Sequence, residues 1–506
     1  MKLSLTHIAP LIKGLGRRRK DAFIAQCQYL YPKWHSEIDS LVTAISSLKT
    51  VNNETVQAFL KKTNPTSNYE TIKDKLREAL IAFLANDFFE ATVHGEIQTL
   101  LAFERHTSET KYFEISTNTL DRAKELAEEM DYHYLHLAIL DRQIFIARNT
   151  RKPDTREKII RLNKDKNQVL NTIAMEIEYS QLSENLFLQL YDKVDKYPPA
   201  YYDTINSPYI KTPELATTKA ARRQYHIIMA LVYQLENKQD KVLECRKNQL
   251  AVIEEYPNAS QEFFDSYMGA LNGLGNALII EGKFEEVNTL VIQKIESHYG
   301  GDYRIPQVFS VKFGLLSTMA LRTLQPALLT NKENDFIAGI VSLESRLSPD
   351  YVIPMYYNMA ISWFLQENYN KTLFWLNRIL QFPKTDSRAD LRNFVRIFKL
   401  IIYLEKEDPE IITSVVRAET RNDKIEAKKN TVENLIIAHI SSLTTFWNNS
   451  KQTASNIEIL SHFLAEMNSL TKEQTSGINY FDEIRYWIMA RLETKSVLEI
   501  ARREEV

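Results

Sequence analysis

The stretch LNGLGNALIIEGKFEEVNTLVIQKI (271–295) decides the fold. Leu271, Leu274 and Leu278 recur at the spacing of one helix face, Gly282 breaks the pattern, and a second amphipathic run begins at Phe284. Three other segments repeat this layout: MALVYQLENKQDKVLECRKNQL (229–250), MAISWFLQENYNKTLFWLNRIL (359–380) and KLIIYLEKEDPEIITSVV (399–416). With Ala230, Gly275, Ala360 and Leu400 taken as equivalent, the steps are 45, 85 and 40 residues. The middle step fits two units, and VKFGLLSTMALRTLQPALL (311–329) followed by FIAGIVSLESRL (336–347) supplies the missing hairpin. A period of this kind predicts stacked α-hairpins.

Working outward, residues 1–95 read as an N-terminal helical domain with helices at 19–31, 33–48, 54–62 and 69–87, the last capped by Ser67 or Asn68. Residues 96–196 continue as helical hairpins and a long helix. In LDRAKELAEEM (120–130), Leu120, Ala123, Leu126 and Met130 form one stripe. The run 155–193 reads as one long helix or two abutting ones, with Ile160, Leu162, Leu170, Ile173, Ile177, Leu182 and Leu186 among its apolar positions. The Pro- and Tyr-rich stretch 197–213 has no helical period and reads as a long loop. The repeats then occupy 214–422, and capping helices 423–506.

Composition agrees with an all-α chain. Twelve glycines in 506 residues is well under the usual share of about 7%, too few for the tight turns of a sheet-rich fold. A net charge of −2 gives no global attraction to nucleic acid or an anionic membrane. Cys27 and Cys245 are too far apart in sequence for a metal motif and suit a reducing compartment. The N-terminal apolar stretch is interrupted by His7 and Lys13, unlike a signal peptide, and no run of 18 apolar residues occurs. The expectation is a cytoplasmic protein without a membrane span.

Segment 271–295 resembles the tetratricopeptide repeat: Leu271, Leu274, Gly275 and Leu278 stand where that family has its first-helix pattern, Gly282 and Phe284 at its turn, and Val287 at its small second-helix position. Met359, Ala360, Trp363, Tyr369 and Thr372 match in the third segment. The repeat here is longer than the family's. Over its length the chain also resembles uncharacterised long helical-repeat proteins, most of all in VRIFKLIIYLEKEDPEIITSVVRAETR (395–421). The resemblance implies a right-handed superhelix of antiparallel helix pairs whose first helices line a concave groove. Carried over, the groove positions are Gln224, Ile227, Leu231 and Gln234, then Asn272, Asn276 and Ile279, then Tyr357, Ile361 and Phe364. Asn276 matches a position at which the family holds peptide backbone. Asn272 and Asn276 share a face, and paired carboxamides offer a donor and an acceptor to an extended chain. Tyr357 and Phe364 would add aromatic anchors.

No catalytic motif stands out: there is no Walker A loop and no G-x-S-x-G. GALNGLGNA (269–277) lies inside a helical pattern, unlike a phosphate loop. His133 and His136 could share a metal, but no third ligand accompanies them, so neither metal nor cofactor is expected. The reading that follows is a non-enzymatic scaffold with a protein or peptide partner. The alternative is a DNA-binding transcriptional regulator with an N-terminal helix-turn-helix-like region and a helical-repeat sensor. Residues 1–95 carry 13 basic against 9 acidic side chains, including Arg17, Arg18, Arg19 and Lys20. Its recognition helix would be Tyr69–Phe83, but there Glu70, Asp74 and Glu78 alternate with Lys73 and Arg77 and would repel phosphates.

Overall fold

A computed structural model describes residues 4–48, 51–63, 68–191, 198–299, 305–343, 346–382, 389–406, 414, 431–446, 454–470 and 481–504. Among these residues the secondary structure is helical and contains no strand. The chain divides into two compact units, Met1–Tyr267 and Met268–Val506, a boundary within the helix Phe264–Ile280. The sequence pattern had placed its break at 213.

The repeat is visible as a fixed helix length. Lys219–Leu235, Phe264–Ile280, Pro306–Arg322, Pro349–Leu365 and Ala389–Glu405 each contain 17 residues. Their starts are spaced by 45, 42, 43 and 40 residues. Ala230, Gly275, Ala360 and Leu400 each stand twelfth in their helix, and the fifth equivalent is Ser317. All five are buried.

The turn after each helix is also fixed. Asn237, Gly282, Leu324 and Glu367, the nineteenth residues counted from the starts at 219, 264, 306 and 349, have φ of 57°, 69°, 50° and 56°. The next amide then donates back to the carbonyl five residues earlier: Lys238 to Tyr233 at 2.9 Å, Lys283 to Leu278 at 2.8 Å, Gln325 to Ala320 at 3.0 Å and Asn368 to Trp363 at 3.0 Å. This is the Schellman arrangement, which satisfies the carbonyls a helix end leaves orphaned. Val93–Glu109 and Phe113–Glu129 end in the same way at Lys111 and Asp131. Residues 407–413 and 415–430, which hold the rest of the fourth segment, lie outside the described residues.

In Met1–Tyr267, the expected N-terminal helices are present at Arg17–Leu30, His35–Ser47, Asn53–Thr63 and Tyr69–Ala91, and Asn68 caps the last by accepting from the Thr71 amide. A further helix, Leu5–Gly14, was not expected, because Pro10 and the interrupted apolar run disguised it. It buries Leu5, Ile8, Ala9 and Ile12 on one stripe. Thr155–Tyr191 is one continuous helix; Leu162, Ile173 and Leu186 are buried, whereas Ile160, Leu170 and Ile177 are exposed.

The stretch expected to be a loop at 197–213 is instead a chain of short helices, Pro199–Asn206, Pro208–Lys211 and the 3-10 turn Pro213–Leu215. Each begins on a proline, whose fixed φ suits a first turn and whose missing N–H would be unpaired there anyway. Tyrosines fasten this segment: Tyr201 donates to Glu236 at 2.8 Å, and Tyr179 donates to the Tyr209 carbonyl at 3.0 Å. Remote carboxylates cap two other helices in the same unit. Glu262 accepts from the Val93 and His94 amides at 2.8 and 3.0 Å and from the Tyr132 hydroxyl. Asp131 accepts from the Lys219 amide at 2.9 Å and the Tyr256 hydroxyl at 3.0 Å.

In Met268–Val506, a continuous aromatic and aliphatic core runs from Phe309 to Ala501. Two buried carboxylates are set in it. Glu333 accepts from the indoles of Trp363 and Trp375 at 3.0 and 2.8 Å and pairs with Lys371. Glu405 accepts from the Trp487 indole at 2.7 Å and from Arg491 at 2.6 Å, and Arg491 also reaches Glu367 at 2.9 Å.

Candidate functional site

Two adjoining clefts open on the 17-residue helices of Met268–Val506. The smaller, of about 190 Å³, lies along Phe264–Ile280, Pro306–Arg322 and Pro349–Leu365 and is lined by Asn272, Asn276, Ser310, Gly314, Thr318 and Asn358, with Asp350 and Tyr351 also on its wall. The larger, of about 560 Å³, shares Thr318, Pro354 and Asn358 with it and continues past Tyr357, Ile361 and Leu321 to Arg322, Asp482, Glu483 and Tyr486.

Small residues allow the clefts to form. A Cβ built on Gly275 would come within 2.6 Å of Leu315 Cδ1, so Gly275 lets Phe264–Ile280 and Pro306–Arg322 approach closely. The contact is with the first helix of the next hairpin. Gly314 lines the smaller cleft without a side chain.

Asn272 and Asn276 are both exposed and brought together. Asn276 Nδ2 donates to the Asn272 carbonyl at 2.9 Å and to Asn272 Oδ1 at 3.2 Å. Asn276 Oδ1 and Asn272 Nδ2 have no hydrogen-bond partner among the described residues, leaving one acceptor and one donor, the complement of a peptide group. Asn358 adds a third carboxamide and donates to Ser317 Oγ at 3.0 Å, with Ser317 in turn donating to the Gly314 carbonyl at 2.9 Å. Sequence reasoning missed Asn358 because it stands one residue beyond the groove position at Tyr357.

Phe364 is a correction. It is fully buried, edge-on to Phe398 with ring centroids 4.7 Å apart, and cannot meet a ligand. Pro349–Leu365 is apolar nearly all round, as befits a helix packed on several sides, so position alone did not separate its lining from its core. Tyr357 is also mostly buried; its ring meets Phe394 and its hydroxyl lies 3.5 Å from Glu483, making it a wall of the larger cleft instead of a projecting anchor. Gln224 and Gln234 belong to Met1–Tyr267, the first half-buried and the second exposed, and neither lines these clefts.

The other candidates resolve as ordinary pairs. His133 meets Glu176 at 3.2 Å and His136 meets Glu128 at 3.5 Å, so they do not converge on one point. Burial disfavours protonation of His133, but the hydrogen bond and charge of Glu176 outweigh it and raise its pKa; burial lowers that of His136. On Tyr69–Ala91, Lys73 pairs with Glu70, Lys75 with Glu78 at 2.8 Å and Arg77 with Asp74 at 3.0 Å, engaging the cations a recognition helix would aim at phosphates.

No helix among the described residues is long and apolar enough to cross a membrane. Compared with protein-family models, curated proteins and solved structures, the chain matches none of them.

Proposed function

We propose that the repeated helix pairs are tetratricopeptide-like units and that the chain is a non-enzymatic scaffold holding an extended peptide along the first helices of Met268–Val506. The observation that carries this reading is the pairing of Asn272 with Asn276, which leaves one donor and one acceptor at the head of a cleft that continues into a larger one of mixed apolar and charged lining. An extended strand has peptide groups that need such partners, and its side chains need pockets. The lining also favours a basic peptide: Asp350 lines the smaller cleft, and Asp482, Glu483 and Arg322 line the larger, with Arg485 against Asp482 at 3.4 Å.

The test is selection of a random peptide library on the full chain, followed by calorimetry on the winners. The expected winners carry Lys or Arg beside an apolar residue. The double variant Asn272→Ala/Asn276→Ala should weaken them at least about tenfold, which is about 1.4 kcal/mol, with a melting temperature no lower than that of the parent, because both side chains are exposed and alanine favours helix. Winners that bind the double variant equally well would refute the reading.

A further inference from the structure

The helices Thr431–Phe446 and Ala454–Ser469 pack side by side in the C-terminal part of Met268–Val506. From the first comes His439, and from the second His462 and Glu466, one turn apart on the same face. His439 Nε2 lies 3.0 Å from one carboxylate oxygen of Glu466, and His462 Nδ1 lies 3.2 Å from the other. The three donor atoms lie within 4.8 Å of one another. His439 is mostly buried and its ring is stacked on Phe463, with centroids 4.6 Å apart and planes 8° apart, so one ligand is already held in place.

The geometry points to a binding site for a zinc-class divalent transition metal at His439, His462 and Glu466, bridging the two helices, with water completing its coordination. Ligand atoms about 2.0–2.2 Å from zinc sit roughly 3.3 Å from one another in a tetrahedron. Each imidazole already lies near this distance from one oxygen of the Glu466 carboxylate, so a turn of the carboxylate and closure of the two imidazoles complete the set. Two imidazoles and one carboxylate form a borderline donor set. It lacks the all-oxygen cage that calcium takes and the thiolates that copper(I) takes. No other such group of three occurs among the described residues, and the outer side of this one is open, with His462 and Glu466 exposed. The cluster is not legible in the sequence, because His439 is 23 residues from His462 and only the packing of the two helices joins them.

The experiment uses the full chain, stripped of metal and titrated with zinc against a chelating indicator. One zinc ion per chain is expected at micromolar affinity or tighter, with a rise in the melting temperature because the ion ties two helices together. His462→Ala, at a position that is 67% exposed and outside the core, should fold with the same metal-free melting temperature and weaken zinc at least about tenfold. His439→Ala should do the same to affinity, while millimolar magnesium should leave the zinc titration unchanged. Zinc affinity unaltered in His462→Ala, or a magnesium competition as effective as zinc, would overturn the site.

Discussion

Glu405 shows what a single residue carries in this fold. Its carboxylate is wholly buried and takes hydrogen bonds from Trp487 and Arg491. Removing one partner of such a pair strands the other charge in a low dielectric. Glu405→Ala should therefore cost about 3 kcal/mol, the low end for a buried pair, measured by urea unfolding, because Arg491 keeps Glu367 while the Trp487 indole loses its acceptor. Gly339 is the opposite case, a residue defined by what it lacks. A Cβ there would meet the buried Phe309 ring at 2.2 Å, and that ring is stacked on Phe336. Gly339→Ala should lower stability by about 1–3 kcal/mol through overpacking, even though alanine favours helix; an unchanged urea midpoint would mean that the ring moves freely. Among the histidines, His133 and His136 should separate in an NMR titration, His136 deprotonating at a lower pH than His133. The His133–Glu176 pair contributes stability that is complete below about pH 6.5 and is lost as pH rises through the raised pKa. His136 works the other way: stability is complete above about pH 6.5 and is lost as pH falls through its lowered pKa. Glu176→Gln should bring His133 down toward His136, since burial would then be opposed by the charge of Asp131 without that of Glu176.

At the scale of the element, the repeating unit is a 17-residue helix followed by a left-handed residue, and sequence revealed only part of it. The small residues at Ala230, Gly275 and Ala360 could be aligned, but Ser317 could not, because a serine does not look like a packing residue until its hydroxyl is seen bonded to the Gly314 carbonyl. Only Gly282 marked its turn. Lys111, Asp131, Leu324 and Glu367 take the same left-handed conformation without glycine, so the turn recurs with no constant letter. Low glycine content correctly spoke against sheets, yet concealed a turn that recurs among the described residues. The proline-led helices at 199–215 were hidden for a related reason: proline reads as a breaker, although at a first turn it is compatible with helix. A side chain in the left-handed region costs roughly 1–2 kcal/mol relative to the right-handed one. Lys111, exposed and with φ of 65°, is the position to probe. Lys111→Gly should raise stability by about 0.5–1 kcal/mol, and Lys111→Val should lower it, both read from thermal melts.

At the scale of the whole molecule, Met1–Tyr267 and Met268–Val506 make different uses of the same helical unit. Polar cross-links are prominent in the first: Glu262 and Asp131 cap distant helices, and Arg142 meets the buried Glu104 at 2.7 Å. The second gathers the largest aromatic core and opens the two adjoining clefts. Of the ten groove positions drawn from the sequence, Asn272 and Asn276 meet in one cleft and Tyr357 and Ile361 wall the next, because helical spacing fixes which residues share a face. Phe364 went to the core because spacing does not say which neighbours will cover a face. The central claim is that this groove engages an extended, basic peptide. It is tested most directly by a photo-crosslinking amino acid at Thr318, where the clefts join, with a second at Val341, which is 66% exposed and lines neither cleft, as control. Crosslinks from Thr318 to polypeptide segments carrying Lys or Arg beside an apolar residue, suppressed by Asn272→Ala/Asn276→Ala and absent from the control, are the predicted result. Equal crosslinking from both positions, or capture at Thr318 of small molecules alone, would contradict it.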